Sequence, residues 1–176
     1  MRNSGQKVLV GVSLLLLVVN VFLLYQYRIV KRELELSKLT ATDIGFKFPV
    51  IAGNSISGIE ESYSLEDSQK KTLLLVFSPY CEYCQQQYPT WRRTIEQLDP
   101  SRWRVLGLTG EKDPAIVEKH LEQMNIGNIK VLLISPNDLR KTRLLYTPMT
   151  IVVNTAGQAE NVWPGLWLNE DKSVLQ

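Results

Sequence analysis

Two side chains carry the chemistry that sets this chain apart: Cys81 and Cys84, its only cysteines, separated by Glu82 and Tyr83. A thiolate attacks sulfur, and a second thiol one helical turn away can close an intramolecular disulfide after the first has attacked. The spacing therefore points to thiol–disulfide exchange, with Cys81 attacking and Cys84 resolving the mixed disulfide. The flanking sequence must position them. Residues 73–78 (LLLVFS) form a continuous apolar run, as in a strand buried on both faces. Cys84, Tyr88, Trp91, Ile95 and Leu98 then recur at helical spacing along one face. Pro89 falls inside that helix, where a missing N–H kinks it, and Asp99-Pro100 stops it. Cys81 thus lies at a helix start, where unpaired N–H groups and the dipole favour a thiolate. An ordinary cysteine pKa near 8.5 falls to about 3.5–7.5 in such motifs.

The same Cys-x-x-Cys spacing also serves as half of a zinc site or as a short structural disulfide. Zinc needs two further ligands, and the chain has one histidine, His120. His120 sits among Val117, Leu121 and Met124 and reads as a helix-packing or surface residue, so no metal is expected. A disulfide closing so short a loop constrains little of the unfolded chain. Glu82 has two readings: a charge that opposes thiolate formation at Cys81, or a solvated side chain.

The remaining elements build a domain around the motif. Residues 46–51 read as a short edge strand because of Pro49, and residues 54–58 as a turn. Residues 103–109 (WRVLGLT) read as a strand, and Asp113-Pro114 as a helix start carrying Val117, Leu121 and Met124 inward. Residues 129–134, 149–154 and 159–163 read as strands, 136–141 as a short helix, and 155–158 as a turn. This order implies an α/β or α+β sandwich. With 20 Lys and Arg against 18 Asp and Glu, the net charge of +2 excludes the concentrated basic charge of a nucleic-acid-binding domain. A hydrophobic content of 44% excludes a disordered chain.

Residues 8–24 (VLVGVSLLLLVVNVFLL) contain no charge, and Tyr25 and Tyr27 follow as interfacial aromatics. The run is longer than the about 7–15 residues of a cleaved signal and ends in Tyr-Gln-Tyr-Arg rather than at a small-residue site. Residues 1–25 are therefore expected to be an uncleaved signal-anchor, a transmembrane helix holding the bilayer through residues 8–25. Residues 26–42 follow as a helical stalk, and residues 43–176 as the globular domain. Counting Arg2 and Lys7 against Arg28, Lys31, Arg32 and Lys38 favours a cytoplasmic carboxyl side. The dithiol chemistry pulls the other way, and orientation stays open here.

The apolar strand 73–78, the Cys81–Cys84 motif, the helix with Pro89 and the segment Tyr146-Thr147-Pro148-Met149-Thr150 together resemble the thioredoxin superfamily, over about residues 44–165. More narrowly they are similar to its membrane-anchored, extracytoplasmic TlpA/ResA-like thiol–disulfide oxidoreductases. The resemblance implies a central mixed sheet flanked by helices with an N-terminal hairpin before the first central strand. It also implies a cis Pro148 facing the cysteines. It implies a periplasmic domain on a single-pass cell-membrane anchor, active in protein or cytochrome maturation. Some positions depart from it. Pro79-Tyr80 replaces the aromatic usually found near the motif. The buried acid six residues before the first cysteine would fall at Leu75, and the glutamate of some relatives three residues after the second falls at Gln87. Gln87 and Glu82 are thus the candidates for tuning the thiols. The family's closing helix is reduced to residues 169–176.

For partners, the Thr147 backbone is placed to pair with an extended substrate segment, with Tyr80, Tyr83 and Trp163 as apolar contacts. The expected partners are protein thiols and disulfides. No glycine-rich phosphate loop is present, so no nucleotide or flavin cofactor is implied. Electrons then come from or go to a membrane-bound dithiol protein. Two other classes compete: a non-catalytic anchored assembly factor, and a thiol peroxidase, which Leu74 in place of a proline disfavours. The direction of exchange follows the reduction potential, which differs by about 150 mV among related dithiols.

Overall fold

The computed structural model describes residues 3–41, 44–67, 69–126 and 129–167. The chain divides into two units, residues 1–42 and 43–176. The first is one helix, α1 (Asn3–Ala41), which runs without interruption through the apolar segment and the charged one that follows. Leu9–Arg28 within it is long and apolar enough to cross a membrane. At 1.5 Å per residue its 20 residues span about 30 Å, the thickness of a bilayer's hydrocarbon core. Asn20, the polar interruption, donates its side-chain amide to the Leu16 carbonyl at 2.8 Å, which satisfies it within the helix.

The second unit is a seven-stranded mixed sheet. Its strands are β1 (Ile51–Ser55), β2 (Glu60–Tyr63), β3 (Lys71–Phe77), β4 (Trp103–Thr109), β5 (Lys130–Leu133), β6 (Met149–Val153) and β7 (Ala159–Pro164). They lie in the order β2-β1-β5-β4-β3-β6-β7. β3, β4 and β5 are parallel, and the pairs on either side are antiparallel. The helices are α2 (Glu82–Gln97), α3 (Pro114–Met124) and α4 (Pro136–Lys141).

Alternation along β3 explains why it reads as one apolar run. Leu73, Leu75 and Phe77 enter a core with Tyr88 and Trp91 of α2 and Val117 and Met124 of α3. Leu74 and Val76 enter the opposite core, covered by Phe48, Leu65 and Leu144, with Leu139 of α4 packed against it. The strand is thus buried on both sides, and both sets of side chains must be apolar. Gly107 is required in β4, because a Cβ there would lie 2.9 Å from Val131 Cγ2 and 3.1 Å from the Phe77 ring.

Two expectations are corrected. Residues 46–50 are not a strand: Lys47 makes one isolated bridge to Gln158, and pairing starts at Ile51. Pro49 offers no N–H to extend the pairing, and Phe48, whose N–H donates to the Gly157 carbonyl at 3.0 Å, is buried in the core. The turn also begins later, since Asn54 and Ser55 belong to β1 and the Gly58 N–H closes onto the Ser55 carbonyl at 2.9 Å. The resulting β1–β2 hairpin supplies the edge strand, with β2 outermost and β1 paired to β5. The expected closing helix, residues 169–176, lies outside the described residues.

Candidate active site

Cys81 is the N-cap of α2, with an extended backbone (φ −92°, ψ 110°). Its Sγ accepts the N–H of Cys84 at 3.2 Å, and its own N–H reaches back to the Ser78 carbonyl at 3.1 Å. This is the geometry that a capping serine or aspartate would adopt, with sulfur in the place of oxygen. It aims the Cys84 N–H and the positive end of the helix dipole at the sulfur. Both cysteines are free thiols, Cys81 half-buried and Cys84 fully buried. Burial pushes the Cys84 thiol up to about 12, and its hydrogen bond with Cys81 adds to the effect. One sulfur therefore faces the surface, and its neighbour is held protonated beneath it.

The sheet register brings the second half of the site to this point. β6 pairs with β3 so that Met149 lies opposite Val76, which places Thr147 and Pro148 level with the end of β3 and the start of α2. The Thr147–Pro148 peptide bond is cis. Cys81 Sγ lies 3.3 Å from the Thr147 carbonyl oxygen, the thiol donating. Thr147 is exposed and Pro148 buried. Two bonds fix this loop. Trp91 Nε1 of α2 donates to Thr150 Oγ1 of β6 at 2.8 Å, and the Gly165 N–H donates to the Pro148 carbonyl at 2.8 Å.

The other candidate residues separate into two groups. Tyr80 and Tyr83 are 74% and 61% exposed and flank the cysteines on the surface. The nearby Glu111 carboxylate raises the pKa of the Tyr80 phenol. The N–H groups of Asp113 and Lys112 hold that carboxyl below its ordinary range. A groove of about 310 Å³ opens beside Cys81, lined among others by Phe77, Tyr80, Glu111, Leu144, Leu145 and Thr147. Glu82 is exposed in the first turn of α2. Gln87, by contrast, is buried on α2, and its amide is taken up by the backbone of Trp167. Its side chain accepts the Trp167 N–H at 2.7 Å and donates to the Trp167 carbonyl at 3.1 Å, so it fastens the segment after β7 to α2. Trp163 stacks on Trp167 at 4.8 Å between ring centroids and belongs to the packing rather than to the open surface. Leu75 is fully buried among apolar side chains.

Sequence reading missed two links, while its helix-packing reading of His120 holds. His120 is buried, stacked on Phe77 at 5.6 Å, and hydrogen-bonded through Nε2 to the Tyr88 hydroxyl. The spacing of Val117, His120 and Met124 along α3 was the available signal, since three and four residues define one helical face. Glu111 was the second, and nothing local marks it, because its link to Tyr80 depends on the parallel pairing of β3 and β4.

No protein-family model matches the chain, and no curated protein matches its sequence. Solved structures do. A thiol–disulfide isomerase from Corynebacterium glutamicum superposes with a TM-score of 0.57 at 22% identity, covering 73% of this chain and 90% of that one. StoA from Bacillus subtilis gives 0.54 at 17%, covering 68% and 90%. A secreted disulfide oxidoreductase of Mycobacterium tuberculosis gives 0.57 at 13%, covering 71% and 90%. The chain has the thioredoxin fold that these proteins share.

Proposed function

We propose that this protein is a membrane-tethered thiol–disulfide oxidoreductase acting on protein substrates outside the cytoplasm. One observation carries the reading: an accessible thiol capping a helix, bonded by the N–H of a buried partner thiol and facing the carbonyl that precedes a cis proline. In the reducing direction, Cys81 as thiolate attacks a client disulfide. A bond forms between Cys81 and one client sulfur, and the other client sulfur leaves with the electron pair. Cys84 then gives up its proton and attacks Cys81 Sγ, and the second client sulfur departs as thiolate. The client gains two electrons and the Cys81–Cys84 disulfide holds the loss. The reverse sequence oxidises a client dithiol. A membrane dithiol protein resets the pair, and the tether raises its effective concentration.

The client segment lies extended along the Thr147 backbone, with one side chain in the groove beside Tyr80 and Leu145. Leu9–Arg28 supports the anchor. The likeness to a secreted oxidoreductase supports the extracytoplasmic side, although the flanking charges point the other way.

Substrate trapping tests the reading. Cys84→Ser in its native membrane should accumulate disulfide-linked adducts that vanish on reduction, and a membrane-impermeant thiol reagent should block them in intact cells. A Cys84→Ser protein that traps nothing removes the enzymatic reading, and adducts that form despite the impermeant reagent place the domain in the cytoplasm.

A further inference from the structure

The exchange proposed above leaves one proton without a destination. Cys84 is fully buried and must lose its proton before it can attack. Among the described residues no carboxylate, lysine or arginine is buried. Leu75, packed in the same core as Cys84, is apolar. The Gln87 amide is bonded to the Trp167 backbone and is not basic. The ionisable side chains buried with Cys84 are Tyr88 and His120.

Their arrangement is specific. Tyr88 follows Cys84 by four residues on the buried face of α2, and helical side chains lean toward the preceding turn. The charge of either cysteine reaches the phenol: burial first, then Cys84, then Cys81 raise its pKa. On its far side the Tyr88 hydroxyl bonds His120 Nε2 of α3. The histidine ring is fixed from two directions, stacked on Phe77 of β3 and edge-on to Tyr88 at 5.2 Å. Burial lowers its pKa from 6.5, so it is neutral at neutral pH and its Nε2 can accept. The groups around it are few. β3 offers Phe77, and α2 offers Tyr88 with Cys84 and Cys81 behind it. Arg92 of α2 is bonded to the Met124 carbonyl, and Glu118, Lys119 and Glu122 of α3 are exposed.

We propose that Tyr88 and His120 form an internal proton relay for Cys84, with His120 as the acceptor. This rests on the dithiol exchange proposed above. As Cys84 attacks, its proton passes to the Tyr88 oxygen while the Tyr88 hydroxyl proton passes to His120 Nε2. The products are the Cys81–Cys84 disulfide, a departing thiolate and an imidazolium. When the disulfide is later reduced, the imidazolium returns the proton to the departing Cys84 sulfur by the same route. Tyr88 and His120 act on Cys84 and not on the client, so they are positioning and proton-transfer groups.

The test uses the reduced full-length protein in detergent micelles and a stoichiometric chromogenic aromatic disulfide. Attack by Cys81 releases a first coloured thiolate, and closure by Cys84 releases a second. Two conservative variants isolate the relay. Tyr88→Phe keeps the ring and removes the hydroxyl. His120→Gln keeps an acceptor for Tyr88 and removes the base. Both should leave the first release unchanged and slow the second by about 100-fold near neutral pH, the lower end of the effect of a positioned proton-transfer group. In the wild type the second release should slow as pH falls below 6.5, and His120→Gln should abolish that inflection. Hydroxide should restore both variants at alkaline pH. An unchanged second release in Tyr88→Phe overturns the relay, as does equal slowing of both releases or an inflection that survives His120→Gln. If His120→Gln does not fold, Tyr88→Phe decides alone. A wild type that never gives the second release fails the dithiol reading itself, and the relay with it.

Discussion

The two faces of the central sheet share the same strands but are built for different ends. On one, Leu74, Val76, Leu106, Leu108 and Ile151 meet Phe48 and Leu144 in an apolar cluster. Polar contacts appear at the start of β3 and β4, where Arg104 bonds Thr72 Oγ1 at 2.6 Å and pairs with Asp67 at 3.3 Å. On the other face α2 and α3 bring Gln87, Tyr88, Trp91 and His120 inside, each with a hydrogen-bond partner. Buried polar groups are costly unless paired, so they mark where position matters more than burial. The first face holds the fold together. The second holds two sulfurs, a proline loop and a histidine in register.

The largest effect that would separate the faces is loss of chemistry without loss of fold. Cys81→Ser should abolish disulfide exchange entirely in a turnover assay, while its denaturant midpoint stays near that of the reduced wild type. Leu106→Ala should do the opposite. Removing a fully buried leucine costs about 2–5 kcal/mol, read by urea unfolding, yet the exchange rate per folded molecule should match the wild type. A fall in that rate would show that the faces are mechanically coupled.

A smaller effect comes from acid. Burial lowers the pKa of His120, so between its folded and unfolded values the unfolded chain binds more protons. Its contribution to stability is therefore full above pH 6.5 and declines as pH falls below it. Asp67, Asp99, Asp138 and Glu111 are also lowered, from 3.8 or 4.5, and their losses belong to more acidic solutions. Urea midpoints measured downward from neutral pH should drop first in the histidine window, and His120→Gln should flatten that part of the curve. A flat wild-type curve there would mean the imidazole is solvated.

The uneven legibility of the two faces has the same physical cause. β3 and β4 could be read because burial on both sides demands an unbroken apolar run, and α3 because Asp113 accepts the Ala115 N–H at 2.9 Å ahead of Pro114. The Cys81–Cys84 pair and the Thr147–Pro148 segment stand out because few residue types fit them. β2 escaped because Glu60-Glu61-Ser62-Tyr63 is a polar edge strand, held by pairing with β1 rather than by burial. Gln87 suggested a tuning role, but its partner lies 80 residues away, and no local pattern announces such a bond. His120 shares a helical face with Val117 and Met124, yet its hydrogen-bond partner, Tyr88, arrives from another helix.

The most direct test of the central claim is to equilibrate the full-length protein in glutathione buffers of graded potential and identify the sulfur species by peptide mass spectrometry. The account predicts one reversible two-electron transition, in which Cys81 and Cys84 lose a hydrogen each and become linked to one another. Glutathione adducts at Cys81 that persist at equilibrium without giving way to that internal bond would contradict it.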